Sequence, residues 1–591
     1  MKSTIQAIAA LLITSVTFVA CSSDDDFIID VPQQPAAPQT YTLTVQALKS
    51  SDVSETRALS PGDNTINASW QQGEAVTVYN VTRDAALSGS LIARYSGATT
   101  TLKGTLTGTI ENGDELKLKF LSPTYSGQNG TIEYIASHCD YAEATAFVTS
   151  IIDQRVTAAP TSFTNQQTIV KFTLKNATGN ALPCNPEALR VSDGTNTIVM
   201  TGIPGSTYSN EKNGTGVLYV AMPGFSNKTV IVDAYCNEKL YTYTKTDVSL
   251  ANSSYYNVTV NMSPATNVDL TRVISNLELQ DGDITTGTLG SGVRVSIASG
   301  ATVTLSDATI NGWRDYNKRW AGLNCRGNAT IVLADGTTNT MRGFYDSPGI
   351  HIPSGKTLTI QGTGTLNASS SSDGAGIGGG WSLDCGNILI KSGIINATGG
   401  WYSAGIGSGY FRSCGSIVIQ GGTVTTSGGN YGAGIGSGHI GFCSSIEIQG
   451  GTVNTAGGDF AAGIGTGGGM DGEEEWSYYD DYFEEEMWFP EEPAMPSTCG
   501  TITISGGIVD ARGGNSAAGI GTGEIGNCGD ITITSGVTRV TATSGSDWTH
   551  SIGRGDDGWF FESHGQVEDF SVYIGGESVG YISDSPYTYQ P

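Results

Sequence analysis

Between residues 375 and 521 one four-residue phrase returns on a fixed beat. Ala375-Gly376-Ile377-Gly378 recurs as Ala404-Gly405-Ile406-Gly407, Ala433-Gly434-Ile435-Gly436, Ala462-Gly463-Ile464-Gly465 and Ala518-Gly519-Ile520-Gly521, in steps of 29, 29, 29 and 56 residues. Cys385, Cys414, Cys443, Cys499 and Cys528 follow with steps of 29, 29, 56 and 29, so the long step is one repeat plus a 27-residue insertion. Weaker copies stand at Ala321-Gly322-Leu323, Pro348-Gly349-Ile350 and Ser551-Ile552-Gly553. A period in the twenties made of short strands and Gly-Gly turns, with no helical spacing, is a solenoid. Three short strands per repeat predict a parallel β-helix, expected right-handed, of about nine coils and on the order of 40 Å long at the β-ladder spacing.

Alternation within each repeat predicts which side chains turn inward. Ile388, Ile417, Ile446, Ile502 and Ile531 should form one ladder. Ile390, Ile419, Ile448, Ile504 and Ile533 should form a second, and Ile395, Val424, Val453 and Val509 a third. Val418, Glu447, Thr503 and Thr532 should point out, and the Gly pairs allow tight corners with positive φ. The cysteine row, one thiol per coil, reads as buried reduced thiols packed as small hydrophobes, with disulfides between coils as the alternative. Cys139, Cys184, Cys236 and Cys325 show no motif.

The first half is organised differently. From Tyr41 to about Pro264, period-2 strands such as YTLTVQAL, AVTVYNV, ELKLKFL and TVIVDAY alternate with turns, which argues for two antiparallel β-sandwiches. Ahead of them, Lys2 and an apolar run from Ile5 to Phe18 are too short for a comfortable membrane span. The run ends in Phe18-Val19-Ala20-Cys21, which resembles a lipobox, with Phe18 an imperfect match; Ser22-Ser23-Asp24-Asp25-Asp26 then resembles the surface-export signal of Bacteroidetes-type lipoproteins. That resemblance implies acylation of Cys21 and anchorage in outer-membrane lipid, each buried CH₂ contributing ~0.8 kcal/mol.

Glu55-Thr56-Arg57-Ala58, Ala68-Ser69-Trp70, Gly73-Glu74-Ala75-Val76-Thr77-Val78-Tyr79 and Ile169-Val170-Lys171-Phe172-Thr173-Leu174 resemble fimbrillin-like proteins. The likeness covers about two-fifths of the chain. It implies that cleavage after Arg57 could free the first strand and open a groove for strand exchange with other fimbrillin subunits, an instance of β-strand addition. The alternative is that Arg57 is a solvated loop residue in a lipoprotein that never polymerises.

The expected organisation is thus a signal peptide over 1–20, a lipid anchor and linker over 21–40, sandwiches over 41–158 and 159–267, a β-helix over 268–555 and a cap over 556–591. The whole is an all-β fold.

Function is less legible. A net charge of −27 repels phosphate backbones and argues against nucleic-acid partners. Glycine, 81 of 591 residues, is double the ordinary ~7%, yet no collagen period accompanies it. Polysaccharide cleavage needs clustered outward carboxylates. Outward strand positions are mostly Thr, Asn, Ser, Val and Leu, and Asp510 with Arg512 has no paired acid below. We therefore expect no catalytic residues, no metal and no cofactor.

Binding has more support. Just after each GIGxG stand Trp381, Tyr410 and His439, and then, past the insertion, Glu524; two residues before the AGIG alanines stand Tyr402, Tyr431 and Phe460. Trp401, Asn430, Asp459 and Asn515 adjoin this second row. Aromatic faces beside amides and carboxylates suit sugar rings; covering corner hydrophobics is the competing role. The insertion, 468–494, holds eleven acids, no bases and seven aromatics, including Trp476 and Trp488. By default it is a solvated, disordered loop, although its aromatics could clamp a ligand. The expectation is a surface lipoprotein adhesin of the outer membrane, an accessory or tip component of a pilus, binding carbohydrate or another surface partner. A structural or glycan-capture lipoprotein outside any pilus comes second, and a β-helix polysaccharide lyase or hydrolase third.

Overall fold

The computed structural model describes residues 39–49, 59–61, 66–121, 124–203, 217–470, 476–480, 485–489, 494–556 and 569–591, with the strand course alone at 59–61, 66–67, 476–480 and 485–489. Signal peptide, Cys21 and Arg57 lie outside the described residues.

The alternating strand Gln39–Leu48 buries Tyr41, Leu43, Val45 and Ala47 and pairs antiparallel with Thr99–Gly108 over its whole length. Its other edge is taken by Arg155–Ala158 and Thr161–Ser162, both parallel. Pairing continues through Ala85–Ala93, Ala75–Asn80, Glu115–Phe120 and Ala142–Ile152 back to Arg155–Ala158. The two layers of the first sandwich are therefore one closed sheet around Trp70, Leu91, Leu102, Leu106 and Leu118. Closure leaves neither edge of the first strand free, which period-2 patterning alone does not reveal.

The second sheet has seven strands around Phe172, Leu189, Val191, Leu218, Val220 and Val232. Cys184 and Cys236, 52 residues apart, form a disulfide across it. The sequence reading found no motif for this pair, because strand pairing and not spacing brings the two together. One α-helix occurs among the described residues, Ile132–His138, capped by Thr131, whose hydroxyl accepts from Tyr134 N.

From residue 267 onward the strands stack in parallel. Ile388↔Ile417↔Ile446↔Ile502↔Ile531 and Val424↔Val453↔Val509 are in register, and the three inward ladders are fully buried. The AGIG phrases form the remaining wall, in which ten strands stack among the described residues, from Leu277–Leu279 to Ile552–Gly553. Leu323, Ile350 and Ile552, the weak copies, sit in register with the strong ones. The two first coils, Leu277–Leu279 and Val295–Ile297, lack the phrase altogether, and the step between them is shorter than the later ones.

The glycines explain why the phrase repeats. Gly436 has φ +138, and a Cβ built there would stand 1.8 Å from the carbonyl oxygen of Gly465 on the next coil. Only glycine allows the coils this approach.

The solenoid is closed at both ends. Tyr235 and Leu240 of the second sheet join the same buried cluster as Val268, Leu270 and Leu277. Arg272 binds Asp233 through Nε at 3.1 Å, and Glu238 pairs with Arg294 at 2.7 Å and with Arg326. At the far end Val572–Ile574 continues the ladder beyond Ile531–Ile533, and Tyr587–Tyr589 pairs antiparallel with Arg539–Thr543. Within the expected cap, Val579–Ile582 forms no strand and adds only an isolated bridge between Ile552 and Ile582.

The insertion is not the structureless loop expected of so acidic a segment. Trp476–Asp480 and Glu485–Phe489 pair as an antiparallel hairpin, rooted by a bridge between Met470 and Met495.

Candidate aromatic binding face

Four of the five AGIG phrases end in a corner built the same way; the first is followed by Gly379. Ser408, Ser437, Thr466 and Thr522, next in sequence after the phrase, are buried and accept through their hydroxyls from Gly438, Gly467, Gly523 and Gly555 N on the following coil, at 2.8–3.0 Å. Three residues later Phe411, Ile440 and Ile525 adopt left-handed backbone, with φ of 56, 49 and 48°. A bulky or β-branched residue takes that conformation only where surrounding structure imposes it, at ~1–3 kcal/mol each. These corners present the residue just before them, Tyr410 and His439 among them.

Six of the eight predicted ligand-binding residues come together as one array. Trp381 lies 4.4 Å from Tyr410, which lies 5.4 Å from His439. Tyr402, Tyr431 and Phe460 form the second row, at 5.6 and 4.6 Å with near-parallel planes. The rows interlock, Tyr402 to Tyr410 at 5.2 Å and Tyr431 to His439 at 4.6 Å. The side chains of Trp476 and Trp488 lie outside the described residues.

The geometry changes what this array offers. Rings stacked along the solenoid use their faces on one another, each pair contributing ~0.5–1.5 kcal/mol beyond area burial. Five rings are half-buried and His439 is buried. Open aromatic surface lies beside the rows, at Trp401 and Phe411, 55% and 45% exposed. Phe411 was missed from sequence because its left-handed turn, not its place in a row, exposes it. The stacked rows are a floor, and Trp401 and Phe411 flank it.

Polar groups border the floor. Arg412 Nε donates to Trp381 O at 3.1 Å, and Trp381 N donates to Asp346 O at 3.1 Å. His439 donates from Nδ1 to Gly468 O at 2.7 Å, and burial holds its imidazole below the ordinary range. The Ser372 hydroxyl stands between two carboxylates, 2.9 Å from Asp346 and 3.2 Å from Asp373. Burial, and then the charge of Asp346, push the Asp373 carboxyl up. Asp346 and Asp373 lie in equivalent turns of adjacent coils, so inspection of outward strand positions passed over them.

The cysteine row is in register, Cys414↔Cys443↔Cys499↔Cys528, and these thiols, with Cys385 and Cys325, are buried and free. Cys385 and Cys414 have their sulfurs 3.0 Å apart. Burial pushes the Cys325 thiol up to about 12. Nothing in this row reaches the aromatic face. Among the described residues no three His, Cys, Asp or Glu side chains converge as metal ligands.

The coil geometry matches a known repeat. Residues 358–381, 388–410, 417–439, 446–468 and 502–524 fit the family described as beta helix repeat. The first three segments end on Trp381, Tyr410 and His439, so the repeat unit closes at the aromatic row. Five segments of the solenoid thus fit the beta helix repeat.

Among solved structures it is similar to a protein of Bacteroides ovatus assigned to cell adhesion, at 13% identity and TM-score 0.23, over 39% of this chain and 96% of that one. A fimbrial assembly protein of Parabacteroides distasonis is similar at 8% identity and TM-score 0.20, over 38% and 90%. The shaft pilin SpaA of Lactobacillus rhamnosus is similar at 12% identity and TM-score 0.17, over 39% and 98%. No curated protein matches the chain.

Proposed function

We propose that this chain is a surface lipoprotein adhesin whose β-helix binds carbohydrate on the aromatic face. In this reading acylated Cys21 holds it in outer-membrane lipid, residues 41–158 and 159–267 form the spacer, and 268–555 presents the ligand face. The observation that carries it is the six-ring floor across consecutive coils, flanked by exposed Trp401 and Phe411 and bordered by Asn430, Asp459 and Asn515. A rigid apolar floor with amides and carboxylates at its rim gives a sugar ring both stacking and directed hydrogen bonds. Incorporation in a pilus by cleavage after Arg57 belongs to the same proposal: it would release Gln39–Leu48, whose partners Thr99–Gly108 and Arg155–Ala158 would then face an open groove.

The test is a glycan array probed with the full chain. Selective binding that is lost in Trp401→Ala and Trp381→Ala supports the reading; absence of binding to every glycan overturns it. An N-terminus that always begins at Cys21 in assembled material would sink the pilus step.

A second reading, glycosidic cleavage, draws on Asp346 and Asp373. They share one serine hydroxyl, and burial pushes the carboxyl of the second up, the direction a general acid uses. New reducing ends from a polysaccharide incubated with the wild-type chain, absent with Asp373→Asn, would favour it; their absence with both chains would dismiss it.

A further inference from the structure

The loop 312–320, Gly-Trp-Arg-Asp-Tyr-Asn-Lys-Arg-Trp, breaks the repeat pattern between strands Thr302–Asn311 and Leu323–Cys325. In a chain of net charge −27 its nine residues hold three cations, one acid and three aromatics. It is fastened to the next coil, with Tyr345 N donating to Lys318 O and Phe344 N to Trp320 O, both at 3.1 Å. Trp313 and Trp320 pack on buried Phe344 at 5.0 and 5.4 Å, and Tyr316 meets Tyr345 at 4.4 Å. Above these rings lie the cations: Arg314 and Arg319 at 5.7 and 5.0 Å from the Tyr345 centroid, Lys318 at 4.3 Å from that of Trp313.

Three features separate this cluster from an ordinary solvated loop. Tyr316 and Trp313 are 64% and 44% exposed although their neighbours are packed. Lys318 pairs with Asp315 at 3.7 Å, whereas Arg314 and Arg319 have no carboxylate within 4 Å among the described residues. Elsewhere along the solenoid Arg294, Arg326, Arg512 and Arg554 are each paired with an acid, while Arg342, Arg412 and Arg539 have no ion pair among the described residues and no ring beneath them. The cluster also adjoins the aromatic floor, since Asp346, next after Tyr345, accepts from Trp381 N.

We propose that this loop is the acid-recognising end of the carbohydrate face and that its ligand is a saccharide bearing carboxylate groups, a uronic-acid polymer. The proposal rests on the carbohydrate reading above and specifies its ligand class. Arg314 and Arg319, each held against a ring and neither in an ion pair, offer the planar forked donors that match a carboxylate, with Arg314 also bearing on the Asp373 carboxyl through its charge. Tyr316 and Trp313 offer open ring surface for the sugar beside them. A uronic-acid polymer carries one charge per sugar, far sparser than a nucleic acid's one per ~1.7 Å, so an acidic protein with two guanidinium groups outside any ion pair can hold the former and still repel the latter.

The experiment is titration of the full chain with polygalacturonate, with its methyl-esterified form, and with whichever neutral glycan the array identifies. Wild-type chain should bind polygalacturonate, and Arg314→Gln/Arg319→Gln should weaken that by about tenfold or more while leaving neutral-glycan binding and the thermal transition unchanged. Esterification of the polymer should weaken binding by a similar factor. Equal binding of acid and ester, or of wild type and double variant to the acid, overturns the inference. Neutral-glycan binding without any polygalacturonate binding overturns it too and leaves the carbohydrate reading standing; failure of every glycan removes both.

Discussion

The sandwich half and the solenoid half bury the same kinds of side chain by opposite means. In the sandwiches each contact is unique. Gln39–Leu48 meets Thr99–Gly108 on one side and Arg155–Ala158 on the other, Trp70 packs edge-on against Phe120 and Phe163, and buried Lys49 binds Glu74 and Asp140, both at 3.1 Å. In the solenoid one contact is made over and over, Ile446 lying between Ile417 and Ile502 as Ile417 lies between Ile388 and Ile446. A sandwich therefore depends on particular side chains meeting once, whereas the solenoid depends on coils approaching closely everywhere. The glycines show the difference. Gly73, in a sandwich turn with φ +92, has nothing within 4 Å of its missing Cβ, while Gly436 has the next coil's carbonyl at 1.8 Å.

The largest expected effect follows from that pair. Gly436→Val should cost at least ~4 kcal/mol and prevent the central coils from stacking, because backbone is what must move. Gly73→Ala should cost only ~1 kcal/mol through its positive φ. Urea unfolding followed by circular dichroism measures both, and equal costs would erase the contrast.

Next comes Ile446→Ala, expected to cost ~3 kcal/mol as a cavity in a core close-packed on every side. Its effect should decay over neighbouring coils, since repeats contact only their neighbours. Hydrogen exchange that accelerated uniformly from residue 268 to 555 would contradict this.

Reduction sharpens the comparison further. Cys184–Cys236 closes a 52-residue separation, so reductant should destabilise the second sandwich by ~2 kcal/mol or more. The solenoid should not respond, because its cysteines are free thiols. Exchange measured with and without reductant should differ within residues 160–265 alone.

The smallest difference is in pH. Burial holds His351 and His439, both in the solenoid, below the ordinary imidazole range of 6.5. The unfolded chain therefore takes up these protons first on acidification. The contribution is complete above pH ~6.5 and is lost as pH falls toward the folded values. In the sandwiches Asp114 and Asp193 are held low against the upward push of burial. Asn80, the Glu111 N–H and Arg83 act on the first, and the Asn196 backbone and side chain with the Thr195 N–H act on the second. Their contribution is complete above the carboxylate value of 3.8 and disappears only below it. Acid titration between pH 6.5 and 4 should weaken the solenoid before the sandwiches; the reverse order would show that other groups dominate.

Much of the solenoid was legible because its period is a property of the chain. The three inward ladders and the weak coils at Leu323, Ile350 and Ile552 follow from spacing and alternation alone. The first two coils lie inside the span expected from residue 268, but Leu277–Leu279 and Val295–Ile297 carry the inward alternation without the glycine phrase, so nothing in the repeat marked their places. Closure of the first sheet through Arg155–Ala158, and the Cys184–Cys236 disulfide, were hidden for another reason: both join segments far apart in sequence with no shared pattern. At the binding face the two aromatic rows could be read from the repeat, but Asp346, Asp373 and Phe411 sit in turns whose direction only the fold sets.

What the sequence determined by itself is the register. Near-identical residues at a fixed step can bury the three inward ladders and pair the strands in only one way, each coil on its own copy. The tertiary structure decided what is left exposed. Successive coils lie about one ring-stacking distance apart, so Tyr402, Tyr431 and Phe460 spend their faces on one another. Open surface falls instead to residues the repeat does not govern: Trp401 and Phe411 beside the floor, and Trp313 and Tyr316 on the loop that breaks the pattern.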